Sequence, residues 1–149
     1  MNLRKFHRSL PMSLLKAREA VMRKFSPSLK EHNLSAQQWR VIRILVESDK
    51  LEITELAEKC HLLMPSISRI IQNLEKRQLI KREAVPGDQR SSAIVITPQG
   101  KKLFELIAPI SEERYQYITE RFGYGKLELL YELLDELINK LETEDETPK

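Results

Sequence analysis

The sequence predicts a mainly helical fold with one small β-hairpin, which is an α+β arrangement. Three observations support this. Apolar residues recur at helical spacing through most of the 149 residues. One stretch, residues 79–97, instead has two short apolar runs around a Pro-Gly-Asp turn. Near the carboxyl end, leucines are spaced alternately three and four apart, which is typical of a helix that packs along a seam.

The amino-terminal part predicts a short basic arm, residues 1–8, and a helix over residues 10–30. Leu14 and Val21 belong to the apolar stripe of this helix, and Arg18 lies between them at helical spacing. A guanidinium on an apolar face requires a partner, because burial of an unpaired charge is very costly. Arg18 is therefore a candidate for contact with an anion or with an acidic side chain.

Ser35 is predicted to begin a second helix, because Gln38 follows it at the spacing of a capping box. The expected end lies before residues 51–53, which could add a short strand to the sheet. The predicted core residues of this helix are Trp39, Ile42 and Leu45.

Two helices follow, over residues 54–60 and 64–77, with a turn between them. The second helix places four apolar residues on one face, at the spacing i, i+3, i+4 and i+7. The opposite face is polar, as expected for an ordinary solvated surface and equally for contact with base edges or phosphates. The inward residues are Ile67, Ile70, Ile71 and Leu74, and the outward ones are Pro65, Arg69, Gln72 and Lys76, flanked by Ser66, Ser68 and Asn73.

The hairpin is predicted as a strand over 79–85, a tip over 86–92 and a return strand over 93–97. Asp88 and Arg90 are two residues apart in the tip, so the carboxylate could orient the guanidinium. An arginine at a hairpin tip suits insertion into a DNA minor groove, although a surface ion pair of little consequence is the alternative. Two helices followed by a hairpin indicate a winged helix-turn-helix module.

The carboxyl-terminal part predicts two helices. Thr97 and Pro98 fit the N-cap and first position of a helix to Phe122, which Gly123 and Gly125 should end. The last helix is too apolar for a small module to cover, so we expect a C2 homodimer, with packing inside the chain as the alternative. The predicted dimerisation residues are Leu14, Ile118, Leu127, Leu130, Leu134 and Leu137.

The ordered set of motifs resembles the MarR family of bacterial transcription regulators, over nearly the whole chain. The matching residues are Glu55-Leu56-Ala57, Pro65-Ser66-Ile67-Ser68-Arg69, Leu74-Glu75-Lys76-Arg77, Asp88-Gln89-Arg90 and Ile96-Thr97-Pro98-Gln99-Gly100. Residues 14–20 and 37–45 look most similar to the regulators of homoprotocatechuate and 4-hydroxyphenylacetate degradation. The chain departs from the family pattern at Leu63, where the family usually has Ser, and at His61 and Gln78, where it usually has Gly.

The resemblance implies a homodimeric repressor that binds a pseudo-palindromic double-stranded DNA operator and is released by a small aromatic carboxylic acid. Its implied DNA-binding residues are Pro65, Ser66, Ser68, Arg69, Gln72, Lys76, Asp88, Gln89 and Arg90. For the inducer we expect Arg18 to bind the carboxylate, Met22 and Trp39 to enclose the ring, and His61 to bond a ring hydroxyl. Pairing of Arg18 with Glu132, Asp135 or Glu136 of a second copy is the alternative.

Composition excludes several other classes of protein. The sequence has no nucleophile–base pair, no Gly-rich phosphate loop and no metal-ligand spacing, so we expect neither an enzyme, a cofactor nor a metal. No apolar run is long enough to span a membrane and no secretory signal is visible, so a cytoplasmic protein is expected. Cys60 is predicted to be a core residue rather than a redox sensor. A net charge of only +3 does not by itself indicate nucleic-acid binding. DNA binding without sequence preference is a further alternative.

These elements predict three regions in a single MarR-like chain. Residues 8–34 and 98–142 would form the helical dimerisation region, and residues 35–97 the DNA-binding module. Residues 143–149 would be a disordered acidic tail.

Overall fold

A computed structural model describes residues 1–143, with only the backbone of residues 89–91. The chain forms two compact units, the first ending at Ser111 and the second beginning at Glu112. In chain order the elements are a 3-10 turn (Phe6–Arg8), α1 (Leu10–Glu31), α2 (Ala36–Ser48), β1 (Lys50–Glu52), α3 (Ile53–Cys60), α4 (Met64–Lys76), β2 (Ile80–Val85), β3 (Asp88–Ile96), α5 (Pro98–Phe122) and α6 (Tyr124–Glu142).

Both predicted helix starts are confirmed by their hydrogen bonds. The Oγ of Ser35 accepts from the backbone N–H of Gln38 at 3.0 Å, and the Oε1 of Gln38 accepts from the backbone N–H of Ser35 at 2.9 Å. This reciprocal pair is a complete capping box at the start of α2. At the start of α5, the Oγ1 of Thr97 accepts from the backbone N–H of Gly100 at 3.1 Å, with Pro98 at the first helical position.

The sheet has three antiparallel strands in the order β1-β3-β2. The third strand predicted at residues 51–53 is present one residue earlier, at 50–52. The predicted tip over 86–92 is too long, because β3 begins at Asp88, which pairs with Val85. The register shifts between Ala84 and Val85, and regular pairing resumes where Ser92 pairs with Ala84. Proline fixes φ at residue 86 and Gly87 takes φ +84°, so two residues suffice to reverse the chain.

The core of the first unit is the inward face of α4 packed against α2, α3 and the sheet. Ile67, Ile71 and Leu74 are fully buried, and Ile70 is nearly so, as predicted. On α2 the predicted core residues are buried too, and Trp39 stacks on Phe104 with ring centroids 5.5 Å apart. Val41 is also fully buried, although it is not among the predicted core residues.

The second unit contains the end of α5 and all of α6. Gly123 separates the two helices at φ +109°, but Gly125 lies inside α6, so the prediction that both glycines break the helix is half wrong. No residue of α6 is buried in the single chain: Leu133 is 53% exposed and Leu141 74%. The apolar surface expected from the leucine spacing is therefore uncovered within this unit.

Two further predictions concern the acidic tail and membrane-spanning segments. Most of the acidic tail, residues 144–149, lies outside the described residues. Among the helices of the described part, none has the length and apolar character that crossing a membrane requires.

Four non-glycine residues of the described chain have a positive φ, and two of them are His61 and Gln78. His61 ends α3 at φ +54°, and Gln78 follows α4 at φ +61°. Both positions are those where the MarR pattern has Gly, which tolerates a left-handed backbone without steric cost. A side chain other than glycine at these two positions therefore adds backbone strain to both turns.

The third departure, Leu63, leads to a stability prediction. Leu63 is the N-cap of α4, makes no capping hydrogen bond and is 77% exposed. Leu63→Ser should raise the free energy of unfolding by roughly 0.5–2 kcal/mol, because a serine Oγ can accept from a free N–H group of the first turn. Chemical denaturation measures this change, and Leu63→Ala is the control that removes the side chain without supplying a cap. Equal stabilities of the two variants would contradict the prediction.

Candidate nucleic-acid interface

The outward face of α4 is a polar strip. Pro65, Arg69, Gln72 and Lys76 are exposed, while Ser66 and Ser68 are partly buried at its border. The strip is also more varied than predicted. Its amino-terminal end is apolar, because Leu63 and the 42% exposed Met64 lie there. Its carboxyl-terminal half includes the acidic residue Glu75.

An ion pair offsets the charge of Glu75. Its Oε1 lies 3.4 Å from the Nε of Arg82 on β2. The pair joins α4 to the hairpin, so the two elements expected to contact DNA are connected directly. Both side chains are partly exposed, and we therefore expect a contribution to orientation rather than a large one to stability.

Two arginines with no predicted role bond backbone carbonyls of other elements, Arg77 from the end of α4 and Arg40 from α2. The guanidinium of Arg77 donates to the backbone oxygen of Asn33 at 2.9 Å and to that of His32 at 3.2 Å. The guanidinium of Arg40 donates to the backbone oxygen of Cys60 at 2.6 Å, at the end of α3. Periodicity could not reveal these bonds, because their acceptors are backbone carbonyls far away in sequence.

The hairpin is braced by charges at its base. The carboxylate of Glu83 on β2 lies 3.2 Å from the Nζ of Lys50 on β1 and 3.6 Å from the Nζ of Lys81. Hydrogen bonding to Lys50 lowers the pKa of the Glu83 carboxyl below its usual value. Because β3 lies between the two strands, the Lys50 contact spans the sheet.

Of the three predicted DNA-binding residues at the hairpin tip, the structure describes the side chain of one. Asp88 is exposed at the first position of β3. The side chains of Gln89 and Arg90 lie outside the described residues, so the predicted orientation of Arg90 by Asp88 stays a prediction.

The four predicted inducer residues lie on three different elements of the structure. Arg18 and Met22 line a shallow groove on α1 together with Arg23 and Lys30. Trp39 is buried against Phe104. His61 is exposed in the turn between α3 and α4.

The side chain of Arg18 is exposed in the single chain, so its predicted contact with a carboxylate ligand or with an acid of a second copy stays a prediction. Its neighbours on the same stripe are exposed as well, with Leu14 and Val21 about two-fifths exposed. Any burial of this stripe must come from another surface.

Cys60 is buried, as predicted, at the end of α3. Burial raises the pKa of its thiol above the usual value, and the nearby positive charge of Arg40 only partly opposes this effect. Since the thiolate is the reactive form, the environment disfavours oxidation of this cysteine.

A helix-turn-helix with a polar outward helix and a braced β-hairpin defines a winged-helix DNA-binding protein. The chain belongs to the MarR family of transcription regulators, whose sequence profile matches residues 34–92. It is 41% identical to the HTH-type transcriptional regulator FarR of Neisseria gonorrhoeae, over 88% of this chain and 90% of that protein. It is 39% identical to the homoprotocatechuate degradative operon repressor of Escherichia coli, over 89% of each chain.

A solved structure agrees with this assignment. The crystal structure of NadR in complex with 4-hydroxyphenylacetate is 40% identical, covers 92% of this chain and 97% of that one, and superposes with a TM-score of 0.77. The resemblance to the MarR family and the predicted fold class are thereby confirmed. The relatives named here are regulators, in agreement with the prediction that the chain is not an enzyme.

Proposed function

We propose that the protein is a homodimeric, cytoplasmic repressor of an aromatic-compound catabolism operon, released from its operator by a small aromatic carboxylic acid. The outward face of α4 carries this proposal, because Arg69, Gln72 and Lys76 are exposed side by side on a helix whose other face is wholly buried. Such a helix can enter a major groove without any rearrangement of the core.

Two relatives support the proposed chemical class of the inducer. One represses homoprotocatechuate degradation in Escherichia coli, and another binds 4-hydroxyphenylacetate. Both compounds are phenols with an acetate side chain, so a ligand of this class needs a cation, an apolar enclosure for the ring and a hydrogen-bond partner for the hydroxyl. We assign these roles to Arg18, to Met22 with Trp39, and to His61.

The proposed function is tested with a duplex that the protein itself selects from a random DNA pool. Fluorescence anisotropy then measures its affinity for this duplex and for a scrambled one, with and without 4-hydroxyphenylacetate. We expect tight binding to the selected duplex alone, and release when the acid is added. Equal affinity for both duplexes would mean that the protein makes only the sequence-independent interaction with phosphates. An affinity that does not change when 4-hydroxyphenylacetate is added would refute the proposed inducer.

The role of Arg18 leads to a second prediction. Arg18→Ala should keep its affinity for the selected duplex but lose the response to 4-hydroxyphenylacetate, because the carboxylate would lose its charge-assisted partner. Arg23→Ala is the matched control, since it removes the same charge from the same groove on α1. Calorimetry that shows undiminished affinity for the acid in Arg18→Ala would exclude the assignment. Loss of the dimer without any ligand would instead favour pairing with acids of α6 in a second copy.

A further inference from the structure

The side chains of Gln38 and Asn73 form a hydrogen-bonded relay from the start of α2 to the outward face of α4. The Nε2 of Gln38 donates to the Oδ1 of Asn73 at 3.0 Å, across 35 residues of sequence. Gln38 is the same residue whose Oε1 completes the capping box with Ser35. Asn73 is exposed and lines the strip on α4 beside Arg69, Gln72 and Lys76.

The direction of every bond in this relay follows from chemistry. An amide side chain has one accepting oxygen and one donating nitrogen, and its orientation must be inferred from its partners. The backbone N–H of Ser35 can only donate, so the oxygen of Gln38 must face it. The nitrogen of Gln38 then faces Asn73 and can only donate, so the oxygen of Asn73 must face Gln38.

The remaining group is the Asn73 amide nitrogen. Because its oxygen is held by Gln38, the NH2 group is directed away from α2 as a donor on the outward face. No described residue accepts a hydrogen bond from it. The backbone of α2 thus determines which atom of an exposed asparagine on α4 is presented to a partner.

We propose that Asn73 donates this amide N–H to a DNA phosphate oxygen, and that Gln38 is the positioning residue that keeps the donor outward. The inference rests on the function proposed above. A phosphate is favoured over a base because Asn73 lies in the carboxyl-terminal half of α4, whereas residues at the beginning of a recognition helix reach the base edges. Neutral amide donors are common partners of DNA phosphates.

The test uses two isosteric changes on the same helix turn. Gln38→Glu keeps an oxygen that accepts from Ser35, so the capping box survives, but it has no N–H to donate to Asn73. Asn73 would then turn over, donate to the new carboxylate, and present its oxygen to DNA. Gln37→Glu is the matched control, because it adds the same charge one position away at an exposed residue.

We expect Gln38→Glu to bind DNA at least about tenfold more weakly than Gln37→Glu, at an unchanged melting temperature, since each subunit of the dimer loses one hydrogen bond to a charged group. Asn73→Ala should weaken binding to the selected and the scrambled duplex alike. It should leave the salt dependence unchanged, because a neutral amide releases no counterions. In the Asn73→Ala background, Gln38→Glu should cost no more than Gln37→Glu.

Several results would overturn the inference. Equal affinities of Gln38→Glu and Gln37→Glu would exclude the positioning role. A loss confined to the selected duplex in Asn73→Ala would exclude the phosphate as acceptor. A lower melting temperature of Asn73→Ala with unchanged DNA affinity would show that the hydrogen bond between Gln38 and Asn73 only stabilises the packing of α2 and α4. If wild-type protein bound neither duplex, the proposed function itself would fail, which these variants distinguish because they are all compared with wild type.

Discussion

Arg69→Ala should weaken binding to the selected duplex by about 1–3 kcal/mol per half-site, concentrated at one base position in each. Arg69 is exposed on the outward face of α4, and the buried Ile67, Ile70 and Ile71 point the other way, so its loss opens no cavity. A guanidinium can bond both the O6 and the N7 of a guanine, and an alanine can bond neither. Anisotropy titrations against duplexes with single base-pair changes measure both the affinity and the position.

The control for this variant is Lys102→Ala, which removes the same charge from an exposed site on α5. If Arg69 reads a base, its variant loses discrimination at one position, whereas a general loss of positive charge would weaken binding to all duplexes. Affinity that stays at the wild-type level on every duplex would show that Arg69 does not face DNA.

Leu134→Asp should convert the protein to monomers or unfold it. Leu134 lies in the middle of the row of leucines on α6 in which spacings of three and four residues alternate. In the single chain, no residue of that helix is buried. Homodimers are typical of the MarR family, and we propose that this seam lies in the interface. A carboxylate there would be buried without a partner, at a cost of several kcal/mol.

Sedimentation measures this outcome directly. The matched control is Asn139→Asp, which adds the same charge to an exposed position of α6, about 140° around the helix from residue 134. The control should remain dimeric at the same protein concentration. An intact dimer of wild-type melting temperature in Leu134→Asp would place the interface elsewhere.

The parts of the fold that sequence predicts well are those with local causes. The inward face of α4, the capping box at Ser35 and the start of α5 at Thr97 all follow from spacing and from bonds between residues three or four apart. The hairpin was predicted less well, because β-strand boundaries depend on pairing across strands, and a Pro-Gly loop needs only two residues.

The candidate site divides in the same way. The outward residues of α4 could be predicted from helical periodicity alone. The bonds of Arg77 to the α1–α2 turn, and of Gln38 to Asn73, join residues more than thirty positions apart, and no local pattern encodes them. A helical stripe places Arg18 among the apolar residues of α1 but does not identify what the side chain contacts, and in the single chain this side chain is exposed.

The central claim is that two copies of α4 enter successive major grooves on one face of the DNA. Dimethyl sulfate footprinting of the selected duplex tests it most directly, because the reagent methylates the guanine N7 in the major groove. Wild-type protein should protect guanines at two sites about one helical turn apart, roughly 10 base pairs centre to centre, and Arg69→Ala should lose part of that protection. Unprotected guanines under saturating protein, or protection at a single site, would contradict the claim.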